Sequence, residues 1–181
     1  WRVAFALQAD GWYLRQDIIW HKPNPMPESV QDRCTKAHEY IFLLSKNEKY
    51  FYDNEAIKEN VLTNDNTNRD RDNSKLNNTP GRSRMAGLKT NNYTKKNKRS
   101  VWTVTTKPFK GAHFATFPPD LIEPMILAGC IKGGVVLDPF MGSGTTGLVA
   151  QELGRRWIGC ELNPEYINLQ KNRTAQQVLE L

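Results

Sequence analysis

A glycine-rich turn between two short apolar strands constrains this chain more than any other feature. Residues 135–137 form an apolar run typical of a buried parallel strand, and residues 142–147 form a tight turn. Residues 148–153 have helical character, and a second strand over residues 157–160 ends on Glu161. Strand, glycine turn, helix, strand and acid in this order predict the half-site that holds an adenosine-bearing cofactor.

The turn itself leaves two classes of adenosine cofactor open. Gly142, Gly144 and Gly147 match G-x-G-x-x-G, which is compatible with a nicotinamide cofactor. A P-loop is excluded, because no Lys-Ser or Lys-Thr follows the glycines. Asp138 at the tip of the first strand favours S-adenosylmethionine, since a carboxylate there would face a cationic amino group and would repel a pyrophosphate. An ordinary strand–turn–helix that binds no ligand is the remaining alternative.

The segment leading into the glycines carries a family resemblance. Residues 138–140, Asp-Pro-Phe, resemble the cofactor loop of DNA methyltransferases that modify exocyclic amines. In the permuted (β-class) arrangement of that family, the cofactor loop lies near the C-terminus and the catalytic half comes first. Other segments resemble family elements in the family's order, namely residues 20–25, 38–46, 113–118 and 162–166. The resemblance covers nearly the whole chain apart from about residues 60–100.

The resemblance implies a site for S-adenosylmethionine. The residues that it assigns to this site are Asp138, Phe140, Gly142, Gly144, Thr145, Thr146, Glu161 and Asn163. Thr116 and Phe117 are expected to close over the methionine end of the cofactor. A simple helix N-cap before Pro164 is the alternative role for Asn163.

The resemblance also implies contacts with DNA. Trp20, Lys22 and Asn24 are expected to border the flipped target base or the DNA backbone. Packing at the end of a strand is the alternative role for Trp20. No catalytic residue and no metal ligand is assigned within the chain.

The amine-binding motif of the family does not occur in this sequence. Family members carry Asp-Pro-Pro-Tyr or Ser-Pro-Pro-Tyr, with Asn sometimes first, whereas the only Pro-Pro here lies at residues 118–119 in another context. The chain also begins on Trp1, in what reads as a helix already under way. We therefore expect residues 1–181 to form a single partial domain that is inactive alone. A naturally reduced, non-catalytic homologue is the alternative.

Alternating strands and helices predict a Rossmann-like α/β methyltransferase fold with a mostly parallel sheet. The segments expected to form it are strands near 12–20, 135–138 and 156–161 and helices near 120–128, 144–153 and 164–179. A hairpin of residues 39–45 with 49–53 is expected to supply one antiparallel strand. The resemblance implies that a central strand carrying the missing motif would lie between strands 12–20 and 135–138.

Positive charge is concentrated between residues 60 and 100. This window contains five Lys, five Arg and three Asp, a net charge of +7, whereas the whole chain carries +6. Its polar composition has no helical or strand periodicity and indicates a long insertion. Its place in the motif order resembles the family's target-recognition region. Double-stranded DNA is therefore the expected partner, contacted by Lys95, Lys96, Lys98 and Arg99. A solvated loop is the alternative.

The cysteines and the hydropathy pattern exclude several structural and functional classes of protein. Three cysteines without C-x-x-C spacing argue against a zinc site and a disulfide framework, and the absence of a Pro-Cys pair argues against methylation at cytosine C5. No apolar stretch reaches the length of a membrane span and no signal peptide is visible. We expect a cytoplasmic protein, encoded by a bacterium, an archaeon or a phage, without membrane contact.

The function that these observations favour is site-specific DNA methylation. The expected reaction transfers a methyl group from S-adenosylmethionine to the exocyclic amine of adenine (N6) or cytosine (N4). A restriction endonuclease of the same system is a further partner that the resemblance allows. A nicotinamide-dependent oxidoreductase and a DNA-binding remnant without catalysis are the alternatives.

Overall fold

The structure is a computed structural model that describes residues 1–61, 94–106 and 116–175. Among these residues, five strands follow the first helix, and helices and strands alternate only from the second helix onwards. Their order is α1 (Arg2–Ala9), β1 (Tyr13–His21), β2 (His38–Ser45), β3 (Glu59–Asn60), β4 (Lys95–Lys96), β5 (Val101–Thr103), α2 (Pro119–Gly129), β6 (Val135–Asp138), α3 (Thr145–Glu152), β7 (Arg156–Gly159) and α4 (Pro164–Thr174). None of the described helices is long and apolar enough to cross a bilayer.

The described strands form three sheets. In the first, β1 lies between β2 and β5, antiparallel to β2 and parallel to β5. In the second, β6 and β7 run parallel and are joined by α3. This β6–α3–β7 unit confirms the strand–turn–helix–strand prediction. The third is a short antiparallel ribbon of β3 and β4.

The predicted hairpin is wrong in its second strand. Residues 49–53 have no strand conformation, and β2 pairs instead with β1, from Tyr13 opposite Ser45 to His21 opposite His38. The connection after β2 is held by Arg15, whose guanidinium donates hydrogen bonds to the carbonyl groups of Asn47 and Glu48. Strand β1 offers β2 an edge along its whole length.

Helix α2 joins two hydrophobic clusters. Leu121 packs with Ile18, Trp20 and Trp102 in the first cluster. The second cluster consists of Ile126, Val149 and Ala150. Leu121 and Ile126 are each less than 5% exposed, and full burial of such a side chain contributes about 1.5–3 kcal/mol. Because α2 supplies side chains to both clusters, it packs against both the β2-β1-β5 sheet and the β6–α3–β7 unit.

Strand β6 has one open edge and one bare face among the described residues. It pairs with β7 alone, and Val135, Leu137 and Ile158 are 45–63% exposed. Val136 and Trp157 point the other way and pack on the second cluster. On β1, the edge away from β2 is paired with β5 only from Ile19 to His21. Among the described strands, β6 and β1 are therefore not paired with each other, and each keeps an edge that is open over at least part of its length.

Candidate cofactor site

Two carboxylates lie at the ends of neighbouring parallel strands. Strand β6 ends on Asp138, which is in register with Gly159 at the end of β7. The N–H of Cys160 donates to the Asp138 carbonyl at 2.9 Å, and Glu161 follows immediately. The carboxyl ends of parallel strands are where open α/β sheets bind ligands.

The glycine turn between β6 and α3 needs its glycines for conformation and for space. Gly142 and Gly144 have φ angles of +51° and +84°, in the left-handed region, where a residue with a side chain is strained. A Cβ on Gly147 would lie 2.5 Å from Met141 Cε and 3.0 Å from the Trp157 ring. The turn therefore brings α3 close against β7.

Glu161 braces the turn. Its Oε2 accepts a hydrogen bond from the Gly142 N–H at 2.7 Å, and its Oε1 accepts one from the Asn163 N–H at 2.8 Å. The backbone N–H of Asn163, assisted by that of Gly142, lowers the pKa of Glu161, although partial burial opposes this. A carboxylate offers about four acceptor positions, so Glu161 retains acceptor capacity for a ligand hydroxyl beside these backbone donors.

Asp138 is held in one orientation by two donors. Its Oδ1 accepts from the Phe140 N–H at 2.9 Å, and its Oδ2 accepts from the buried Thr146 hydroxyl at 2.6 Å. Thr146 therefore supports the orientation of the Asp138 carboxylate from the first turn of α3. The Phe140 side chain is 87% exposed, so its ring is available to a ligand at the mouth of the turn.

The remaining predicted cofactor residues divide into two groups. Thr145 is buried in the first turn of α3, and Asn163 accepts from the Glu165 N–H at 3.0 Å as the N-cap of α4. Phe117 packs against the first hydrophobic cluster, and Thr116 precedes it. Residues 113–115 of the predicted covering segment lie outside the described residues. The structure thus gathers the residues from Asp138 to Asn163, and a role of Thr116 and Phe117 at the cofactor stays a prediction.

The three residues expected near the target base lie at the end of β1 and directly after it, and two of them contact the segment after β5. Trp20 is 5% exposed, and its indole N–H donates to the Val104 carbonyl at 2.8 Å. Lys22 lies 4.4 Å above the Trp20 ring and forms an ion pair with Glu39. The side chain of Asn24 both donates to and accepts from the backbone of Thr106. Trp20 is thus packed at the end of its strand, and contact of Trp20, Lys22 and Asn24 with the target base or the DNA backbone stays a prediction.

The described basic residues surround the ribbon at the base of the insertion. Lys95 and Lys96 form β4, which pairs with β3. Glu59 forms ion pairs with Lys98 at 3.8 Å and with Arg99 at 3.0 Å. Residues 62–93 lie outside the described residues. Glu59 offsets part of the positive charge of this region. Binding of DNA by the region stays a prediction.

Sequence reasoning missed two residues of α4 that contact the turn. The Gln170 side-chain amide donates to the Gly142 carbonyl at 2.8 Å. The Arg173 guanidinium donates to Ser143 and to the Thr145 hydroxyl. Their spacing of three residues predicts a shared helix face, but nothing in the sequence indicates what that face packs against.

The two carboxylates of the site fit S-adenosylmethionine better than a dinucleotide. Glu161 at one strand tip offers acceptors for ribose hydroxyls, and Asp138 at the other offers an anion for a cationic amine. A pyrophosphate between the same two carboxylates would be repelled.

The pH dependence of stability tests the lowered pKa of Glu161. A carboxyl whose folded pKa lies below its unfolded pKa stabilises the fold above the unfolded pKa, and the contribution is lost as the pH falls through the folded pKa. We expect the melting-temperature difference between the native chain and Glu161→Gln to be constant above about pH 5 and to shrink below about pH 4. Thermal unfolding across this range measures it. A difference that does not depend on pH would contradict the assignment.

Comparison with known proteins places this site in context. The DNA methylase model N6_N4_Mtase matches residues 2–172. The chain is 51% identical over 177 residues to the type II methyltransferase M.SmaI of Serratia marcescens and 50% identical over 173 residues to M.Cfr9I of Citrobacter freundii. These matches cover 98% and 96% of this chain but 51% and 48% of the relatives. The chain therefore spans about half the length of the curated relatives that it matches.

Solved structures agree on the fold. The M1.HpyAVI–SAM complex matches with a TM-score of 0.62 and 25% identity, covering 96% of this chain and 68% of that chain. The cytosine-N4-specific PvuII DNA methyltransferase matches with a TM-score of 0.69 and 22% identity, covering 97% and 56%. These likenesses confirm the expected Rossmann-like α/β fold.

Proposed function

The chain belongs to the DNA methylase family whose model it matches, and on that premise we propose that its parent protein methylates an exocyclic amine of adenine (N6) or cytosine (N4) in double-stranded DNA. S-adenosylmethionine is the methyl donor. The observation that carries the proposal is the pair of carboxylates, Asp138 and Glu161, at adjacent strand tips around the glycine turn.

Binding and orientation are what these residues contribute to the reaction. Glu161 would accept hydrogen bonds from the ribose hydroxyls, and Asp138 would attract the amino group of the methionine portion. The exposed Phe140 ring would pack on an apolar part of the cofactor. When bound, S-adenosylmethionine supplies an electrophilic methyl group. The donors behind Asp138 and Glu161 hold both charges in place before the cofactor arrives, which reduces the cost of organising the site.

The target amine explains why positioning matters more than acid–base chemistry. The lone pair of an exocyclic amine is delocalised into the base, so the amine is a poor nucleophile that must be held in line with the methyl group. His21 lies 3.2 Å from the Thr103 hydroxyl, and His38 makes an edge-to-face contact with Tyr40. Both histidines therefore have structural partners, which agrees with a mechanism that needs no histidine.

The relatives suggest where the activity operates. They are named type II methyltransferases, which supports a restriction endonuclease of the same system as a partner. Methylation of bacterial DNA would take place in the cytoplasm. Within the chain, we assign target recognition to residues 60–100. These residues carry a net charge of +7, which exceeds the net charge of +6 of the whole chain.

Cofactor affinity tests the role of the two carboxylates. In the parent protein, Glu161→Ala is expected to weaken binding of S-adenosylmethionine by roughly tenfold to a hundredfold, because charged hydrogen bonds are lost. Asp138→Ala is expected to weaken it similarly. Titration calorimetry measures both constants, and Glu165→Ala, which removes an exposed carboxylate on α4, is the matched control. Unchanged affinity in both Asp138→Ala and Glu161→Ala would contradict the proposed site.

Salt dependence tests the role of the basic residues. Replacing Lys95, Lys96, Lys98 and Arg99 with Ser in the parent protein is expected to weaken DNA binding and to lower the slope of log K against log salt by about 2–4, because fewer counterions are released. Cofactor affinity should not change. Replacing Arg2, Lys49, Lys132 and Lys171 with Ser removes the same number of positive charges from exposed positions elsewhere and controls for net charge. An unchanged slope in the fourfold variant would identify the segment as a solvated loop.

A further inference from the structure

Helix α4 holds the glycine turn through two side chains. Gln170 Nε2 donates to the Gly142 carbonyl at 2.8 Å. Arg173 Nη1 lies 3.2 Å from the Ser143 carbonyl oxygen, 2.9 Å from Ser143 Oγ and 3.1 Å from Thr145 Oγ1. Three positions that flank Gly144, namely 142, 143 and 145, are therefore tied to one face of α4.

The contacts between α4 and the turn are close and partly buried. Ser143 and Thr145 are 7% and 4% exposed, so their hydroxyls depend on protein partners. A Cβ on Gly144 would lie 3.1 Å from Gln170 Cγ, which shows how directly the helix lies against the turn. Burial lowers the pKa of Arg173, and the charge of Glu152 opposes that shift. An arginine remains charged at neutral pH, so its bonds to the turn are charge-assisted.

These contacts determine how the turn faces the ligand. A peptide group is planar and trans, so holding the Gly142 carbonyl against Gln170 also fixes the opposite direction of the Ser143 N–H. The Gly142 N–H in turn donates to Glu161. The conformation of the turn and the orientation of the Glu161 carboxylate are thus linked to α4 through hydrogen bonds.

We propose that Gln170 and Arg173 are positioning residues for the cofactor, which hold the glycine turn in the conformation that binds it. The inference rests on the proposed use of S-adenosylmethionine at this turn. Loss of either contact would let the turn adopt other conformations, and part of the binding free energy would then be spent on ordering it. Cofactor affinity should fall, whereas the transfer step at saturating cofactor should be preserved.

Variants of α4 in the parent protein test the proposal. Arg173→Met is expected to raise the Kd for S-adenosylmethionine about five- to tenfold and the KM for it by a similar factor, with kcat unchanged. Arg173→Lys, which retains a charged donor, is expected to recover part of the affinity. Gln170→Leu, which keeps most of the packing volume but loses the donor, is expected to raise Kd less than Arg173→Met. Lys171→Met, an exposed change on the same helix, is the matched control and should leave Kd unchanged.

Binding and stability are measured together to separate positioning from a purely structural role. Calorimetry gives Kd, thermal unfolding gives the melting temperature, and initial rates with DNA give KM and kcat. An unchanged Kd in the folded Arg173→Met protein, or in Gln170→Leu if Arg173→Met does not fold, would overturn the inference. Failure of the unsubstituted protein to bind S-adenosylmethionine would instead overturn the proposed function.

Discussion

A polypeptide of only these 181 residues is expected to methylate DNA many orders of magnitude more slowly than a full-length relative. The cofactor turn with Asp138 and Glu161 is complete in it, but the sequence contains no Pro-Pro-Tyr segment to hold a target amine. Positioning of the two reactants supplies most of the rate in such a transfer, with effective molarities on the order of 10⁵–10⁸ M. The bare β6–β7 face would also lower the solubility of this polypeptide.

A labelled-methyl transfer assay on unmethylated genomic DNA tests this expectation. The 181-residue polypeptide and a full-length relative are compared at equal concentration and saturating S-adenosylmethionine. Cofactor binding by the polypeptide, measured in parallel, controls for folding. Incorporation comparable to that of the relative would contradict the expectation and would direct the search for amine-binding residues to these 181 positions.

Gly144→Val is expected to weaken S-adenosylmethionine binding in the parent protein by roughly a hundredfold or more, through two separate effects. The left-handed conformation at φ +84° costs a side-chain residue about 1–2 kcal/mol, and more for a β-branched one. The added Cβ would also lie 3.1 Å from Gln170 Cγ and 3.4 Å from Gln170 Cα, so Gln170 must shift by a few tenths of an ångström away from the turn. Such a shift would weaken the hydrogen bond from Gln170 to the Gly142 carbonyl.

Gly11→Val separates the backbone effect from the effect on the turn. Gly11 has φ +89°, and a Cβ there would meet nothing within 4 Å. This variant should lose stability through backbone strain alone and should bind S-adenosylmethionine normally. Calorimetry and thermal unfolding on both variants measure the comparison. Equal affinities for Gly144→Val and Gly11→Val would show that the conformation of the turn does not control cofactor binding.

The cofactor half-site could be predicted from sequence because it is local. Strand β6, the glycine turn, α3 and β7 lie within residues 135–159, and each element carries its own signal of apolar strand, glycine turn or helix. The order of these elements alone predicts that Asp138 and Glu161 lie near each other, since parallel strands align their carboxyl ends. The boundaries of α3 and α2 also came within about one residue of prediction, because glycine and proline punctuate the chain there.

Contacts between distant segments were decided only by the tertiary structure. Position 20 lies at the end of a strand, but its burial depends on Trp102, Leu121 and a carbonyl at Val104, which are more than eighty residues away. The partner of β2 was predicted wrongly because local alternation does not reveal which edge a strand will pair with. Arg15, which occupies the carbonyls after β2, has no signature in the sequence.

The division between the two levels is clearest at the glycine turn. The sequence by itself determined that a tight glycine turn joins β6 to α3, and the structure places Gly142 and Gly144 of that turn in the left-handed conformation that glycine adopts without strain. Only the tertiary structure decided what holds that turn, since Gln170 and Arg173 reach it after α4 folds back over α3. Backbone conformation depends on neighbouring residues, whereas a hydrogen bond between residues about thirty positions apart depends on how the helices pack.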